Sequence, residues 1–285
     1  MSEFSDCYWQ SRDGLRLHYR DYPGRADRPP LVCLPGLTRN ARDFANLAER
    51  HAGEWRVICP ELRGRGDSAY ARDSATYNPA QYVEDLSELF EQAGIARFVA
   101  IGTSLGGLLT MVMGLTCPDK IAGALLNDIG PVIDDAGLER IRGYVGQGRV
   151  FPTWMHAARG LEETQGRHFP DYQLADWISA AKRVMTISGN GRIVFDYDMK
   201  IAEPFAQSGG ASGVDLWPGL AGLAGKPLLF LRGGLSDLLS AATLARMVEV
   251  CPGSEAVTIA NVGHPPTLDE PEAAAALDRL LARIA

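Results

Sequence analysis

The stretch "AIGTSLGGL" (residues 100–108) decides the fold, because it joins a predicted strand to a predicted helix through a turn flanked by glycines. The apolar run RFVAIG (97–102) is typical of a buried strand, and LGGLLTMVMGLT (105–116) of a buried helix. Ser104 stands in the turn between them. This context favours a nucleophilic hydroxyl on a strained turn. The alternative is a glycine-rich helix start that Ser104 merely caps.

Around this turn, short apolar runs alternate with helical patterns along most of the chain. The predicted strands lie at residues 15–22, 30–36, 55–62, 97–104, 122–130, 226–234 and 255–263. Helices are predicted from Pro79 to Gln92, from the turn to about Cys117, and from Pro271 onward. Alternation of this kind predicts an α/β fold with a mostly parallel, doubly wound sheet.

The strand pattern lapses in one long segment, where helical patterns and aromatic residues dominate. We therefore predict a core from residues 1–131 and 214–285, and an inserted, mainly helical cap from residues 132–213. The Gly/Ser-rich run at 207–213 is expected to be the exit hinge of the cap. Four large side chains of the cap either line a substrate pocket or form the cap's own packing: Trp154, Met155, Phe169 and Trp177.

Composition narrows the class of protein. The chain of 285 residues has a formal net charge of −7, and its basic residues form no cluster, which argues against nucleic acid and anionic membranes as partners. Residues 98–118 carry no charge, but a buried strand and helix explain that run as well as a membrane span does. Five scattered cysteines and the lack of a signal-like N-terminus lead us to expect a cytoplasmic protein.

A nucleophilic serine needs a base, and the base needs a carboxylate to orient it. His264 follows the last predicted strand and is the candidate base; the other four histidines are expected to be surface or cap residues. Asp128 and Asp237 each follow a predicted strand. Because the carboxyl ends of parallel strands meet at one edge of a sheet, either residue can lie beside His264.

Five motifs resemble those of the α/β-hydrolase superfamily, specifically its capped serine hydrolases, and they occur in the same order. They are LPGLTRN (34–40), PELRGRGDS (60–68), GTSLGG (102–107), LRGGLSD (231–237) and GHPPTLDEP (263–271). The resemblance implies a triad of Ser104, His264 and an acid on the GGLSD loop, so Asp237 is favoured and Asp128 is the alternative. It also implies an oxyanion hole formed by the backbone N–H groups of Leu37 and Leu105. The chain departs from the pattern at Glu61 and Arg65, where many relatives have Asp and His.

The resemblance further implies a function. A serine nucleophile forms an acyl-enzyme, which predicts a hydrolase of the carboxylic ester class acting on a small, largely apolar ester or lactone. No metal or organic cofactor is implied, and the expected partner is a small-molecule substrate. The oligomeric state is left open. One alternative is a C–C bond hydrolase of diketones from aromatic degradation, and another is a ligand receptor that retains the hydrolase fold.

Overall fold

A computed structural model describes residues 3–207 and 214–284, and eleven strands lie in this part of the chain. They are β1 (Ser5–Gln10), β2 (Arg16–Tyr22), β3 (Leu31–Leu34), β4 (Val57–Pro60), β5 (Phe98–Thr103), β6 (Ile121–Asn127), β7 (Val150–Phe151), β8 (Met185–Ile187), β9 (Ile193–Phe195), β10 (Leu228–Gly233) and β11 (Glu255–Ile259). Eight of them form the central sheet in the order β1-β2-β4-β3-β5-β6-β10-β11. All seven predicted strands are present.

Helices cover the sheet and fill the segment between β6 and β10. The α-helices are α1 (Ala45–His51), α2 (Pro79–Gln92), α3 (Leu105–Thr116), α4 (Asp135–Arg142), α5 (Trp154–Gln165), α6 (Leu174–Val184), α7 (Ala202–Gln207), α8 (Trp217–Ala221), α9 (Ala241–Val250) and α10 (Pro271–Ala282). Short 3₁₀ helices occur at Ala41–Phe44, Ser74–Thr76, Pro118–Lys120, Gly166–His168 and Met199–Ile201. The start of α2 follows the predicted signal, because the Asn78 side chain accepts a hydrogen bond from the Gln81 amide directly before Pro79.

The sheet is parallel from β4 through β11 and antiparallel only where β1 pairs with β2 and β2 with β4. Strands β3, β4, β5 and β6 are buried along their whole length, as parallel strands with helices on both faces must be. This confirms the predicted fold class. Strand β1 was not predicted, because most of its side chains are exposed and its sequence lacks an apolar run.

The segment between β6 and β10 carries α4 to α7 and a three-stranded antiparallel sheet in the order β7-β9-β8. These elements lie within the predicted cap at 132–213. Most of the predicted hinge, residues 208–213, lies outside the described residues. The division into core and cap therefore stays a prediction.

The long uncharged run at 98–118 forms β5, the turn and α3, whose side chains are largely buried within the protein. Within residues 3–207 and 214–284, no helix combines the length and the apolar character needed to cross a bilayer. The run is therefore accounted for by a core strand that leads into a core helix.

Candidate active site

Ser104 occupies the turn between β5 and α3 in a backbone conformation that non-glycine residues rarely adopt, with φ 52° and ψ −116°. The flanking glycines are sterically required. A Cβ atom on Gly102 would lie 2.6 Å from the carbonyl oxygen of Gly106, and a Cβ atom on Gly106 would overlap the backbone of Leu34. The turn therefore has the strained geometry that presents a side chain at the edge of the sheet.

His264 lies in the loop between β11 and α10, and its imidazole reaches the turn. Its Nε2 atom is 2.9 Å from the Oγ atom of Ser104, although 160 residues separate the two along the chain. Only 8% of His264 is exposed. An imidazole at this distance can accept the serine proton without rearrangement.

Asp128 lies on the other side of the imidazole, with its Oδ2 atom 2.8 Å from Nδ1 of His264. The carboxylate is fully buried. Its second oxygen accepts a hydrogen bond of 2.8 Å from the backbone amide of Gly233, at the end of β10. The backbone of Asp128 also has a positive φ, 55°. Two hydrogen bonds and a constrained backbone thus fix the carboxylate against the ring.

The expectation that Asp237 contacts His264 is wrong. Asp237 lies four residues beyond the end of β10, and its carboxylate forms a bidentate ion pair with Arg140 of α4, at 2.6 and 2.7 Å. Burial would raise the pKa of Asp237, but the hydrogen bonds from Arg140 outweigh it and hold that pKa below 3.8. Asp128 is nearer the serine because β6 is the immediate neighbour of β5 in the sheet.

The backbone amides of Leu37 and Leu105 are the predicted oxyanion donors. Neither amide has a hydrogen-bond acceptor within the described part of the chain. Both residues border a cavity that also contains Ser104. A hydrogen bond of 2.8 Å from the Arg65 side chain holds the carbonyl oxygen of Leu37. Two free amides beside a hydroxyl form a site where negative charge on an oxygen can be stabilised.

Asn127 connects the parts of this site, and the sequence reading did not select it. Its carbonyl oxygen accepts from the Ser104 amide, and its side-chain amide donates to the Thr103 hydroxyl and to the Pro266 carbonyl oxygen, at 3.1 and 2.8 Å. One residue thus joins the serine turn to the histidine loop. A polar residue at the end of the apolar run AGALLN (122–127) was the signal that could have revealed it.

Ser104 lies where two chambers meet. The larger chamber, about 310 Å³, is lined mostly by apolar side chains such as Leu108, Ile129 and Leu238. The smaller one, about 140 Å³, is lined by His264 and by several polar groups, among them Arg39. The site therefore offers two environments of different polarity on either side of one hydroxyl.

The pocket interpretation of the four cap side chains is not supported, because none of them borders either chamber. Phe169 and Trp177 are buried in the core cluster that includes α5 and α6, with their rings 6.2 Å apart and perpendicular. Trp154 packs against the same cluster, and Met155 is 40% exposed. Phe169, Trp177 and Trp154 therefore serve packing, the second of the two alternatives.

His18 was expected to be a surface or cap residue, but it is fully buried. Its Nδ1 atom is 2.9 Å from Glu61 and its Nε2 atom 3.0 Å from Asp6. His18, Glu61 and Asp67 offer atoms close enough together to hold a metal ion. The Glu61 oxygens, however, already accept hydrogen bonds from His18 and from the amides of Ala41 and Asp67. The cluster therefore ties β2 to the loop after β4.

A family model described as "Alpha/beta hydrolase family" matches residues 31–277. The chain belongs to the alpha/beta hydrolase family. The predicted membership of the α/β-hydrolase superfamily is thereby confirmed, and the family and its relatives identify the protein as a hydrolase.

Several relatives cover this alpha/beta hydrolase almost completely. A 3-hydroxybutyrate-oligomer hydrolase of Cupriavidus necator is 33% identical and matches 90% of this chain and 89% of its own length. An sn-1-specific diacylglycerol lipase of Mus musculus is 26% identical over 90% of this chain and 82% of its own. A crystal structure of an alpha/beta hydrolase from Novosphingobium aromaticivorans is 60% identical, covers 99% of both chains and superimposes with a TM-score of 0.96.

Proposed function

We propose that this alpha/beta hydrolase cleaves small carboxylic esters or lactones through an acyl-enzyme on Ser104. The observation that carries the proposal is the unbroken series of contacts from Ser104 through His264 to Asp128, at 2.9 and 2.8 Å. A serine hydroxyl is a weak nucleophile unless a neighbouring base removes its proton. This series supplies both the base and the carboxylate that orients it.

The reaction proceeds in two halves. His264 removes the Ser104 proton as Oγ attacks the ester carbonyl carbon, and Asp128 stabilises the imidazolium that forms. His264 then returns the proton to the departing alcohol oxygen as the ester C–O bond breaks. Water attacks the acyl-enzyme in the second half, again losing a proton to His264, and the carboxylic acid leaves as Ser104 regains its proton. Atoms and charges balance without a cofactor.

The tetrahedral intermediates place a negative charge on the former carbonyl oxygen. The free amides of Leu37 and Leu105 border the cavity beside Ser104 and are the proposed donors to that oxygen. Loss of one such donor typically costs about 3 kcal/mol of transition-state stabilisation. Both donors belong to the main chain, so the turn geometry controls them and their side chains have little direct effect.

The larger chamber is the proposed acyl site, because the lining residues that the structure describes include no charged side chain. Residues of the predicted cap, such as Leu138 and Ile141, form part of its wall. By covering the reacting carbonyl they would exclude water and strengthen the electrostatic interactions there. The names of two relatives agree with ester hydrolysis. Ester bonds link the units of a hydroxybutyrate oligomer, and ester bonds attach the acyl chains of a diacylglycerol to glycerol.

Turnover of short-chain p-nitrophenyl esters tests the proposal, with Ser104→Ala as the matched variant. We expect turnover by the wild-type protein and a loss of at least about 10⁴-fold in the variant. Ligand binding without turnover would favour the receptor alternative. Cleavage of a vinylogous diketone but of no ester would favour the C–C hydrolase.

A further inference from the structure

The two chambers around Ser104 differ in charge as well as in size. None of the described residues that line the larger chamber is charged. The smaller chamber is bordered by two arginines, Arg39 and Arg149, and by no Asp or Glu among the described residues. A ligand in the smaller chamber therefore meets guanidinium donors, each of which also contacts a carboxylate outside the chamber lining, Asp43 or Glu163.

The Arg39 guanidinium belongs to the turn that carries the proposed oxyanion donor. Its Nε and Nη2 atoms bind Asp43 at 2.6 and 2.8 Å, which leaves Nη1 available to a ligand. Arg39 and Ser104 both lie close to Gly36. A Cβ atom added to Gly36 would be 3.2 Å from Cγ of Arg39 and 3.6 Å from Cβ of Ser104. Arg39 is therefore anchored close to the serine by one pair of bonds and retains donors for a second partner.

Arg149 is the second arginine that borders the smaller chamber. Its guanidinium is 5.2 Å from the centre of the Phe151 ring, and Phe151 lines the chamber. Its contacts with Glu163 and the Gly160 carbonyl are long, at 3.4 and 3.5 Å, and the side chain is 41% exposed. Because its present contacts are long, the Arg149 guanidinium can exchange them for a hydrogen bond to an anion.

Tyr144 adds a neutral donor to the same chamber. A phenol is protonated at neutral pH, and burial raises the pKa of Tyr144 further above that range. A guanidinium together with a phenol hydroxyl is a donor set that suits a carboxylate. The donors and the small volume of this chamber thus both favour a carboxylate as the group that binds there.

The position of His264 fixes which half of the substrate enters this chamber. His264 and Pro265 border the smaller chamber and not the larger one, whereas Leu105 borders only the larger one. Since the imidazole must hand its proton to the departing alcohol, the alcohol half lies on the histidine side. The acyl half then occupies the apolar chamber.

We propose that the smaller chamber binds a carboxylate on the alcohol half of the substrate, so that the preferred substrates are esters of hydroxy acids. This inference rests on the proposed function and names its substrate class. Arg39 and Arg149 are specificity-determining residues for that carboxylate, and neither takes part in the chemical steps.

The test compares two substrates that differ only in charge, 3-(butanoyloxy)butanoic acid and 3-(butanoyloxy)butanamide, with butanoate release as the readout. We expect kcat/KM to favour the acid by roughly tenfold, the effect of one hydrogen bond to a charged group. Arg149→Gln and Arg39→Gln should each reduce this ratio at least threefold, by the same reasoning. Arg12→Gln is the matched control, because Arg12 is exposed and pairs with Glu84 away from the chambers. Arg12→Gln should leave the acid-to-amide ratio of kcat/KM unchanged.

A second comparison places the charge on the other half of the ester. Mono-p-nitrophenyl glutarate carries its carboxylate on the acyl half, and we expect it to react more slowly than p-nitrophenyl butyrate. Arg149→Gln is the more informative variant if Arg39→Gln fails to fold, since Arg39 holds Asp43 and Arg149 has only weak contacts.

The outcomes separate the two proposals. If p-nitrophenyl butyrate is hydrolysed but the acid is no better a substrate than the amide, the inference is overturned and the proposed function stands. The inference is equally overturned if both arginine variants keep the wild-type ratio, or if the glutarate ester is preferred. If no ester is hydrolysed and Ser104 does not react with a fluorophosphonate, both proposals fail.

Discussion

The Asp128 carboxylate lies 2.8 Å from Nδ1 of His264, and this contact distinguishes two aspartates that the sequence places at equivalent strand ends. Asp128 directly follows β6, the strand beside the one that leads to Ser104. Asp237, one strand further along the sheet, is bound by Arg140. Two acids near one edge of the sheet thus have different partners, and each assignment has measurable consequences.

Asp128→Asn should lower kcat by about 10⁴-fold, because the amide favours the wrong tautomer of the imidazole and cannot stabilise the imidazolium. Asp237→Asn should change kcat by less than about tenfold, since that side chain contacts Arg140 and not His264. Steady-state kinetics of both variants with one p-nitrophenyl ester makes the comparison. A large loss in Asp237→Asn with a small loss in Asp128→Asn would reverse the assignment.

Arg65 is a fully buried cation that forms no ion pair with an acidic side chain of the described residues. Its Nε atom donates to the Leu37 carbonyl oxygen, and its Nη2 atom has no hydrogen-bond partner among the residues that the structure describes. We expect Arg65→Lys to lower kcat on the order of tenfold with a smaller effect on KM, because the oxyanion turn loses its anchor.

The rate of Ser104 phosphonylation is the second readout for the Arg65 variant, since that reaction also develops charge on an oxygen in the same hole. It should fall in parallel with kcat, while the free energy of unfolding measured in urea reports any general damage. An unchanged phosphonylation rate in a stable variant would remove the positioning role.

Gly106→Ala should destabilise the fold by about 3 kcal/mol or prevent folding, because the added Cβ atom overlaps the Leu34 backbone. Gly189→Ala is the matched control, since nothing lies within 4 Å of a Cβ atom at that exposed position. Urea unfolding of both variants provides the measurement. Equal stabilities would contradict the close approach of β3 and α3.

Stability should depend on pH through His18. Burial opposes the charge on this imidazole, but its hydrogen bond with Glu61 outweighs burial and raises the pKa of His18 above 6.5 in the folded protein. A group whose pKa is raised on folding stabilises the protein fully below its unfolded pKa, and this contribution is lost as pH rises through the folded pKa. The free energy of unfolding of wild type relative to His18→Gln should therefore decrease from pH 6 upward. A difference that stays constant or grows over that range would contradict the assignment.

Much of the fold was predictable because buried parallel strands are short, apolar and regularly spaced by helices. The pattern located β3, β5 and β11 to within a few residues, and with β5 and β11 the positions of Ser104 and His264. Strand β1 and helix α5 escaped prediction, since a mostly exposed edge strand and a helix rich in polar residues lack a continuous apolar signal.

The identity of the acid was not predictable from chain order. Both aspartates follow a strand and both precede His264 in the sequence, so the order of side chains along the chain is the same for either. The deciding facts are spatial: β6 neighbours β5, and Arg140 from a distant segment captures Asp237. The roles of Phe169 and Trp177 were likewise undecided, because an aromatic side chain in a cap serves a pocket or a core equally well.

The central claim is that the Ser104 hydroxyl is the activated nucleophile, and mass spectrometry after stoichiometric fluorophosphonate treatment tests it most directly. We predict one adduct per chain, located on the peptide that contains Ser104, absent in Ser104→Ala and formed far more slowly in Asp128→Asn. Failure of the wild-type protein to form an adduct, or an adduct on any other residue, would contradict the account.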